Sequence, residues 1–364
     1  MIFKTVECIV ELKDYAKEWN DLAYSSCQGS PFLSYAWVSS YLEHQLNSSE
    51  SWLCIFAHEK DKLVGVLPLV FSEGKQSSMH TPWGSHVYMG DMLLSDLSRI
   101  DVVNNAISHL TEENPSWRRL EFYGTPKESP GGCAQVEELT GCRIFKEVMG
   151  YGSYLTTTGN YEEYNESQST KFRSNMRRRI KKLGKLGDIQ TNFVENDEAD
   201  AVHLQKFFDL ENSGWKGKNC TSILSSQKTI SFYTSLVRRL QDANMLEWHF
   251  LKAGDKIVAG HLAVKTKGKL SIWKIAYDED HPECSPGNIL AEHLYKRAFA
   301  AKEIDEVDCV TFHNWHNDWC LAKRPYYKLT ISPDRIAPYI MNLASFQAGK
   351  LVKRAKSALK SYIS

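Results

Sequence analysis

The chain has 364 residues, 42% hydrophobic, 12% aromatic and 24% charged, which excludes a disordered, fibrous or collagen-like protein. That length accommodates two domains of about 150 to 180 residues, each able to bury its own core. Lys and Arg number 44, as do Asp and Glu, so contact with nucleic acid or membrane would need a local patch rather than a global field.

Nine cysteines are scattered without a Cys-x-x-Cys pair or a close Cys/His set, which predicts reduced thiols, a cytoplasmic setting and no metal site. The apolar runs are too short for a signal peptide or a membrane span, so neither is expected. Apolar positions over residues 12–22 predict a short amphipathic helix, and Ser30-Pro31-Phe32-Leu33 opens a second through Tyr35, Trp37, Val38, Tyr41 and Leu42. Residues 52–70 read as strand, polar turn and strand, and they align with residues 247–264 around Asp61-Lys62-Leu63-Val64 and Asp255-Lys256-Ile257-Val258. The same hairpin in each half predicts a duplicated unit. Residues 79–94, with Thr81-Pro82-Trp83-Gly84, predict a loop reaching the cleft between units, followed by a helix over 101–110 and a strand over 117–123.

Residues 172–187 carry Arg173, Arg177, Arg178, Arg179, Lys181, Lys182 and Lys185 without an acid, on a helix with the apolar stripe Phe172, Met176, Ile180 and Leu183. This is either a grip on the phosphate of a sugar nucleotide, lipid carrier or RNA, with Arg173 and Arg177 as substrate contacts, or an ordinary solvated face. The next helix, from residue 204, ends at Gly214-Trp215-Lys216-Gly217. Lys216 beside Trp215 can pair with a phosphate or carboxylate of an acceptor, or simply finish the helix in solvent.

Residues 245–277 alternate in three short apolar runs separated by the turn pairs Gly254-Asp255 and Lys267-Gly268, an antiparallel meander. A helix follows, opened by Ser285-Pro286-Gly287-Asn288, with Ser285 as N-cap and Pro286 in the first turn. Free N–H groups at Gly287, Asn288 and Ile289, beside the positive end of the helix dipole, would hold a pyrophosphate; the plainer alternative is a proline-started helix with no ligand. Residues 307–312 read as a strand ending in the polar loop His313-Asn314-Trp315-His316-Asn317-Asp318, and Tyr326-Tyr327-Lys328 lies on a final strand. Residues 346–363 form a basic amphipathic pattern that either lies on an anionic membrane or packs on the protein with its lysines outward.

Meander, loop, glycine-bearing turn and helix resemble the acyl-CoA site of GNAT-type N-acyltransferases. Lys274-Ile275-Ala276-Tyr277-Asp278 followed by Ser285-Pro286-Gly287, with Pro31-Phe32-Leu33-Ser34 and Trp215-Lys216-Gly217, resembles the CelD-like branch of cellulose and exopolysaccharide gene clusters, a relative of the Fem aminoacyl transferases. The resemblance implies an α/β (α+β) fold of two tandem GNAT-like units, each a mixed, mostly antiparallel sheet flanked by helices. The boundaries are 1–160 for a scaffold or acceptor unit, 161–335 for the unit holding acyl-CoA, and 336–364 for a basic C-terminal helix.

On that pattern Trp273, Lys274, Ile275, Ala276 and Tyr277 line the pantetheine of acetyl-CoA or another acyl-CoA, and Ser285, Pro286, Gly287, Asn288 and Ile289 surround its phosphates. His313 or Asp318 is the general base, Tyr277 the leaving-thiol acid, and Lys328 stabilises the acyl carbonyl or binds acceptor phosphate. The implied acceptor is an amine, or a hydroxyl, of an amino sugar or sugar nucleotide in envelope or exopolysaccharide synthesis. The alternatives are Fem-type transfer from aminoacyl-tRNA, the one reading with a nucleic-acid partner, and a non-catalytic scaffold of a biosynthetic complex. The cytoplasmic protein would touch a membrane only peripherally, through its C-terminal helix.

Overall fold

Among the described residues, period-two apolar runs and tight turns place thirteen strands in one mixed sheet. The computed structural model describes residues 1–72, 74, 76–127, 139–195 and 200–334, so the expected C-terminal helix lies outside the described residues. The first half supplies β1 (Ile2–Val6), β2 (Glu50–Glu59), β3 (Lys62–Ser72), β4 (Ser78–His80), β5 (Leu93–Leu94), β6 (Arg119–Pro126) and β7 (Cys142–Thr156). The second supplies β8 (Ile189–Glu195), β9 (Leu246–Ala253), β10 (Lys256–Thr266), β11 (Gly268–Tyr277), β12 (Ile304–Asp308) and β13 (Ala322–Pro333). The helices are α1 (Ile9–Leu12), α2 (Ala16–Ser25), α3 (Tyr35–His44), α4 (Ile100–Glu113), α5 (Tyr161–Ser167), α6 (Thr170–Leu183), α7 (Asp200–Ser213), α8 (Trp215–Lys218), α9 (Gln227–Asp242) and α10 (Pro286–Ala300). Among the described residues no helix is long and apolar enough to cross a membrane.

The strand order β1-β2-β3-β4-β6-β13-β7-β12-β11-β10-β9-β8 is a palindrome of two units. In each, three antiparallel pairs lead to one parallel pair, β4 with β6 and β11 with β12, reached through α4 and α10 respectively. The two final strands are exchanged. β7 of the first half pairs with β12 of the second, β13 pairs with β6, and β7 and β13 pair with each other from Cys142 to Tyr154. The repeated hairpins differ in their turns: Lys60 and Asp61 both have positive φ, whereas Gly254 alone does in the second, so the backbone twist is met by two left-handed residues in one and one glycine in the other.

One face of the second unit packs under α10, where Leu251, Ala259, Leu290 and Leu294 meet. On the opposite face α3 and α9 pack together, and Phe32, Trp37, Tyr233 and Trp273 share one core. Buried Arg239 of α9 fastens that seam, donating to Ser40 Oγ at 3.0 Å and pairing with Glu43. Three local expectations are corrected. The helix expected over 12–22 is split by a 3-10 turn at Lys13–Tyr15. The helix expected from Ser30 begins at Tyr35, where Ser34 accepts from Trp37 N–H after a 3-10 turn at Pro31–Leu33. The strand expected through residue 312 stops at Asp308 because Val310 is left-handed, with φ 59°.

Candidate functional site

β11 and β12 pair only between Gly268 and Ser271 on one side and Ile304 and Asp308 on the other. Beyond that point β11 continues to Tyr277, while Cys309 N–H turns to Ser153 O of β7 at 2.8 Å and Val310 enters the left-handed region. Fully buried Asp308 holds that turn: its Oδ1 accepts from Val310 N–H at 2.7 Å, and burial raises its carboxyl pKa. A β-branched residue rarely adopts such a backbone, so the carboxylate fixes a costly turn where the two strands part. Among the described residues, the edge of β11 from Ile272 onward has no strand partner on the β12 side.

The gap is a cavity of about 680 Å³. Trp273–Tyr277 form one wall, Ser285–Asn288 stand at the start of α10, Val310, Thr311, His313, Trp315 and His316 form the wall after β12, and Trp215 and Lys216 come from α8. Tyr88, in the loop between β4 and β5–β6 of the first half, closes one side and lies edge-on to Trp273 with ring centroids 5.5 Å apart. The cavity thus draws on both units.

At the start of α10 the backbone departs from the expected cap. Ser285 is left-handed (φ 46°), its hydroxyl donates to Pro282 O at 3.3 Å, and it caps nothing with its side chain. Asn288 and Ile289 N–H donate to Ser285 O, so of the three groups expected to be free only Gly287 N–H lacks an acceptor among the described residues. Ile289 itself points into the core, and Asn288 Oδ1 accepts from buried Trp319 Nε1 at 2.9 Å. A Cβ on Gly287 would meet Tyr277 at 3.6 Å, an ordinary contact. Positive charge is supplied from elsewhere: α6 packs on α10 and on the turn Pro282–Cys284. Burial and the neighbouring Glu283 push the Cys284 thiol up, with the Lys182 charge opposing them. Arg173 and Arg177 line a separate pocket of about 220 Å³ between α6 and α10 with Glu292 and Trp319.

A β-bulge re-aims the next two side chains. Pairing of β10 with β11 slips by one residue at Leu262/Ala263, leaving Trp273 as the extra residue. Trp273 is locked edge-on between Phe32 and Trp37 and donates to Tyr233 OH at 3.1 Å. Lys274 leaves on the same side, with Nζ 5.1 Å from the Trp273 ring and 5.8 Å from that of Tyr233. It has no hydrogen bond or ion pair among the described residues. Burial, helped by the nearby Lys216 charge, brings its pKa down to about 8. Lys216 is anchored differently, 2.6 Å from Glu211 Oε1, while Glu211 Oε2 accepts from Ile223 N–H at 2.8 Å. The cavity therefore holds one lysine neutralised by a buried carboxylate and one that is not.

Of the other acid-base candidates, Tyr277 and His313 line the cavity and are exposed. His313 is braced by Thr311 Oγ1 at 3.2 Å and by His316, whose pKa burial lowers to about 4. Asp318 is exposed and does not line the cavity. Lys328 sits on β13 in the first unit's half of the sheet, paired with Glu121 at 2.7 Å and over the Tyr123 ring, also outside the cavity lining. Sequence reasoning missed Tyr88, and it missed His261 of β10, which lines the cavity and is joined beneath α10 to His249 and Glu247.

Comparison with known proteins places this geometry. Residues 170–319 match the acetyltransferase (GNAT) domain family. No curated protein matches the chain. The FemX structure superposes with a TM-score of 0.61 at 11% identity, covering 90% of this chain and 97% of FemX. A conserved protein of unknown function from Bacteroides thetaiotaomicron gives 0.55 at 14%, covering 91% and 100%. The C-terminal domain of a putative lysylphosphatidylglycerol synthetase from Agrobacterium fabrum gives 0.55 at 13%, covering 92% and 95%. At such identities the likenesses establish the fold, and the domain match establishes what kind of fold it is.

Proposed function

We propose, from the premise that this chain is an N-acyltransferase carrying a GNAT acetyltransferase domain at residues 170–319, that it transfers an acyl group from acyl-CoA to an amine of an amino sugar or sugar nucleotide. The observation that carries the reading is the parting of β11 from β12 at the mouth of α10. An extended pantetheine arm can pair its amides with the open edge of β11 as an added strand would, with its phosphates between Gly287 N–H and the basic face of α6. Residues 161–335 then form the donor unit, residues 1–160 close the acceptor side through Tyr88, and Trp215 and Lys216 meet the acceptor. Envelope or exopolysaccharide synthesis is the setting this acceptor chemistry suits.

Amine attack on a thioester needs a neutral amine, a proton acceptor and a way for the thiol to leave. Tyr277 and His313 stand at the cavity for the latter steps. The test is calorimetric titration with acetyl-CoA of the parent and of Gly287→Glu, a substitution for which the backbone has room. Binding by the parent and its loss in a folded variant is the expected result; a parent that binds neither acetyl-CoA nor longer acyl-CoAs refutes the reading.

Fem-type transfer from aminoacyl-tRNA is favoured by one observation: Arg177, Arg178, Lys181, Lys182 and Lys185 are all exposed along α6 and its end. It predicts tRNA binding whose affinity falls steeply with salt, as counterion release from several phosphates requires.

A further inference from the structure

Beneath α10, beside an apolar core, three polar side chains on two neighbouring strands form a string. Glu247 and His249 are two residues apart on β9 and so share a face, and His249 stands directly opposite His261 on β10. His249 Nε2 lies 2.7 Å from Glu247 Oε1, and His249 Nδ1 lies 3.3 Å from His261 Nδ1. Glu247 and His249 are fully buried; His261 is nearly so, and it lines the cavity.

The proton positions follow from the partners. A carboxylate only accepts, so His249 carries its proton on Nε2. The charged groups facing the string are Glu247 on β9, Glu195 on β8, Lys265 on β10 and Arg297 on α10; Arg297 pairs with both Glu247 and Glu195, and Lys265 with Glu195. Burial opposes ionisation of Glu247, but His249 and Arg297 outweigh it and hold the carboxyl at about 2. A His249 that carries a single proton, on Nε2, accepts at Nδ1, so that His261 donates from Nδ1 and keeps a lone pair on Nε2. Nothing among the described residues hydrogen-bonds His261 Nε2.

We propose that His261 is the proton acceptor of the acyl transfer, held in its Nδ1–H tautomer by His249 and Glu247, which act as positioning residues. The proposal rests on the acyl-CoA reading above. His261 Nε2 takes one proton from the acceptor ammonium. The freed amine forms the C–N bond as the C–S bond breaks, its second proton leaves with the sulfur as the CoA thiol, and His261 returns its proton to water. The imidazolium formed in between is stabilised along the string by the Glu247 carboxylate, while burial keeps His261 unprotonated at rest, as a base must be.

The test joins spectroscopy to kinetics. Long-range proton–nitrogen spectra of the histidine-labelled parent should show His261 as the Nδ1–H tautomer, with an Nε2 resonance that moves on adding acetyl-CoA. An Nε2–H tautomer, or a resonance indifferent to acetyl-CoA that calorimetry shows to be bound, overturns the proposal. Thiol release from acetyl-CoA is followed with D-glucosamine and with water as acceptors. His261→Gln should lower kcat about 100-fold with acetyl-CoA affinity within threefold, and remove the acidic limb of the rate profile. Glu247→Gln should keep that limb and move it to lower pH, a shift that a purely structural role would not produce. An unchanged profile in His261→Gln, with binding retained, sinks the relay alone; a parent that does not bind acyl-CoA sinks the donor reading instead.

Discussion

Replacing Lys274 by Met removes a partnerless ammonium while keeping most of its stem against Trp273 and Tyr233. Its pKa of about 8 against an ordinary 10.5 means that the fold resists the charged form. The shift corresponds to about 3 kcal/mol at about 1.4 kcal/mol per unit, and the cation–π contacts with the two rings return about 1. The sign follows from linkage. Below pH 8 both folded and unfolded chains carry the proton, and the folded state bears the whole penalty. Between pH 8 and 10.5 the unfolded chain still binds it and the folded chain does not, so this group makes stability rise with pH until the penalty is gone. Lys274→Met should therefore be more stable than the parent by about 2 kcal/mol at pH 7, with the difference shrinking above pH 8. Urea midpoints of both proteins at pH 7, 8, 9 and 10, at equal m, measure it. A gap that stays constant across that range, or a less stable variant at pH 7, would refute the reasoning.

Glu211→Leu leaves Ile223 N–H and the Lys216 ammonium without their carboxylate and should cost about 3 kcal/mol in urea unfolding; a loss under 1 would mean that water reaches both groups. Trp319→Phe keeps the ring between Phe172 and Tyr295 but frees Asn288. It should lower stability by about 1 kcal/mol and weaken acetyl-CoA binding several-fold by calorimetry, and an unchanged affinity would separate the first turn of α10 from the donor site.

The meander, α10 and the repeated hairpin are legible in the sequence because period-two apolar runs, turn pairs and a proline-started helix are local signals. What depends on distant partners is not. No residue in 142–156 or 322–333 announces that each strand joins the other unit's half of the sheet, since an apolar edge fits either neighbour. The left-handed Val310 was hidden because a β-branched residue ordinarily signals more strand, and only the carboxylate of Asp308 two residues earlier overrides it. Ser285 looked like a cap, yet the preceding 3-10 turn had already claimed its hydroxyl. The string under α10 did leave a trace: Glu247, His249 and His261 interrupt otherwise apolar strands at positions that alternate onto one face, and polar residues placed so need a partner or a purpose. Lys328, read by likeness to a terminal motif, turns instead to Glu121, because the exchange carries β13 away from the cavity.

That exchange bears on how substrates get in. Enzymes built from two lobes commonly admit and release ligands by swinging the lobes apart about a hinge. Here a swing would have to tear the long β7–β13 ladder, together with the edges that each of those strands makes in the opposite half. The two units are consequently stitched at fixed spacing, and β12, the wall from which β11 parts, is braced from behind by a strand of the first half. Traffic through the cavity falls to its rim, where the short α8 carrying Trp215, tethered to Glu279 by its N–H, and the histidine-bearing turn at Asn314–Asn317 stand.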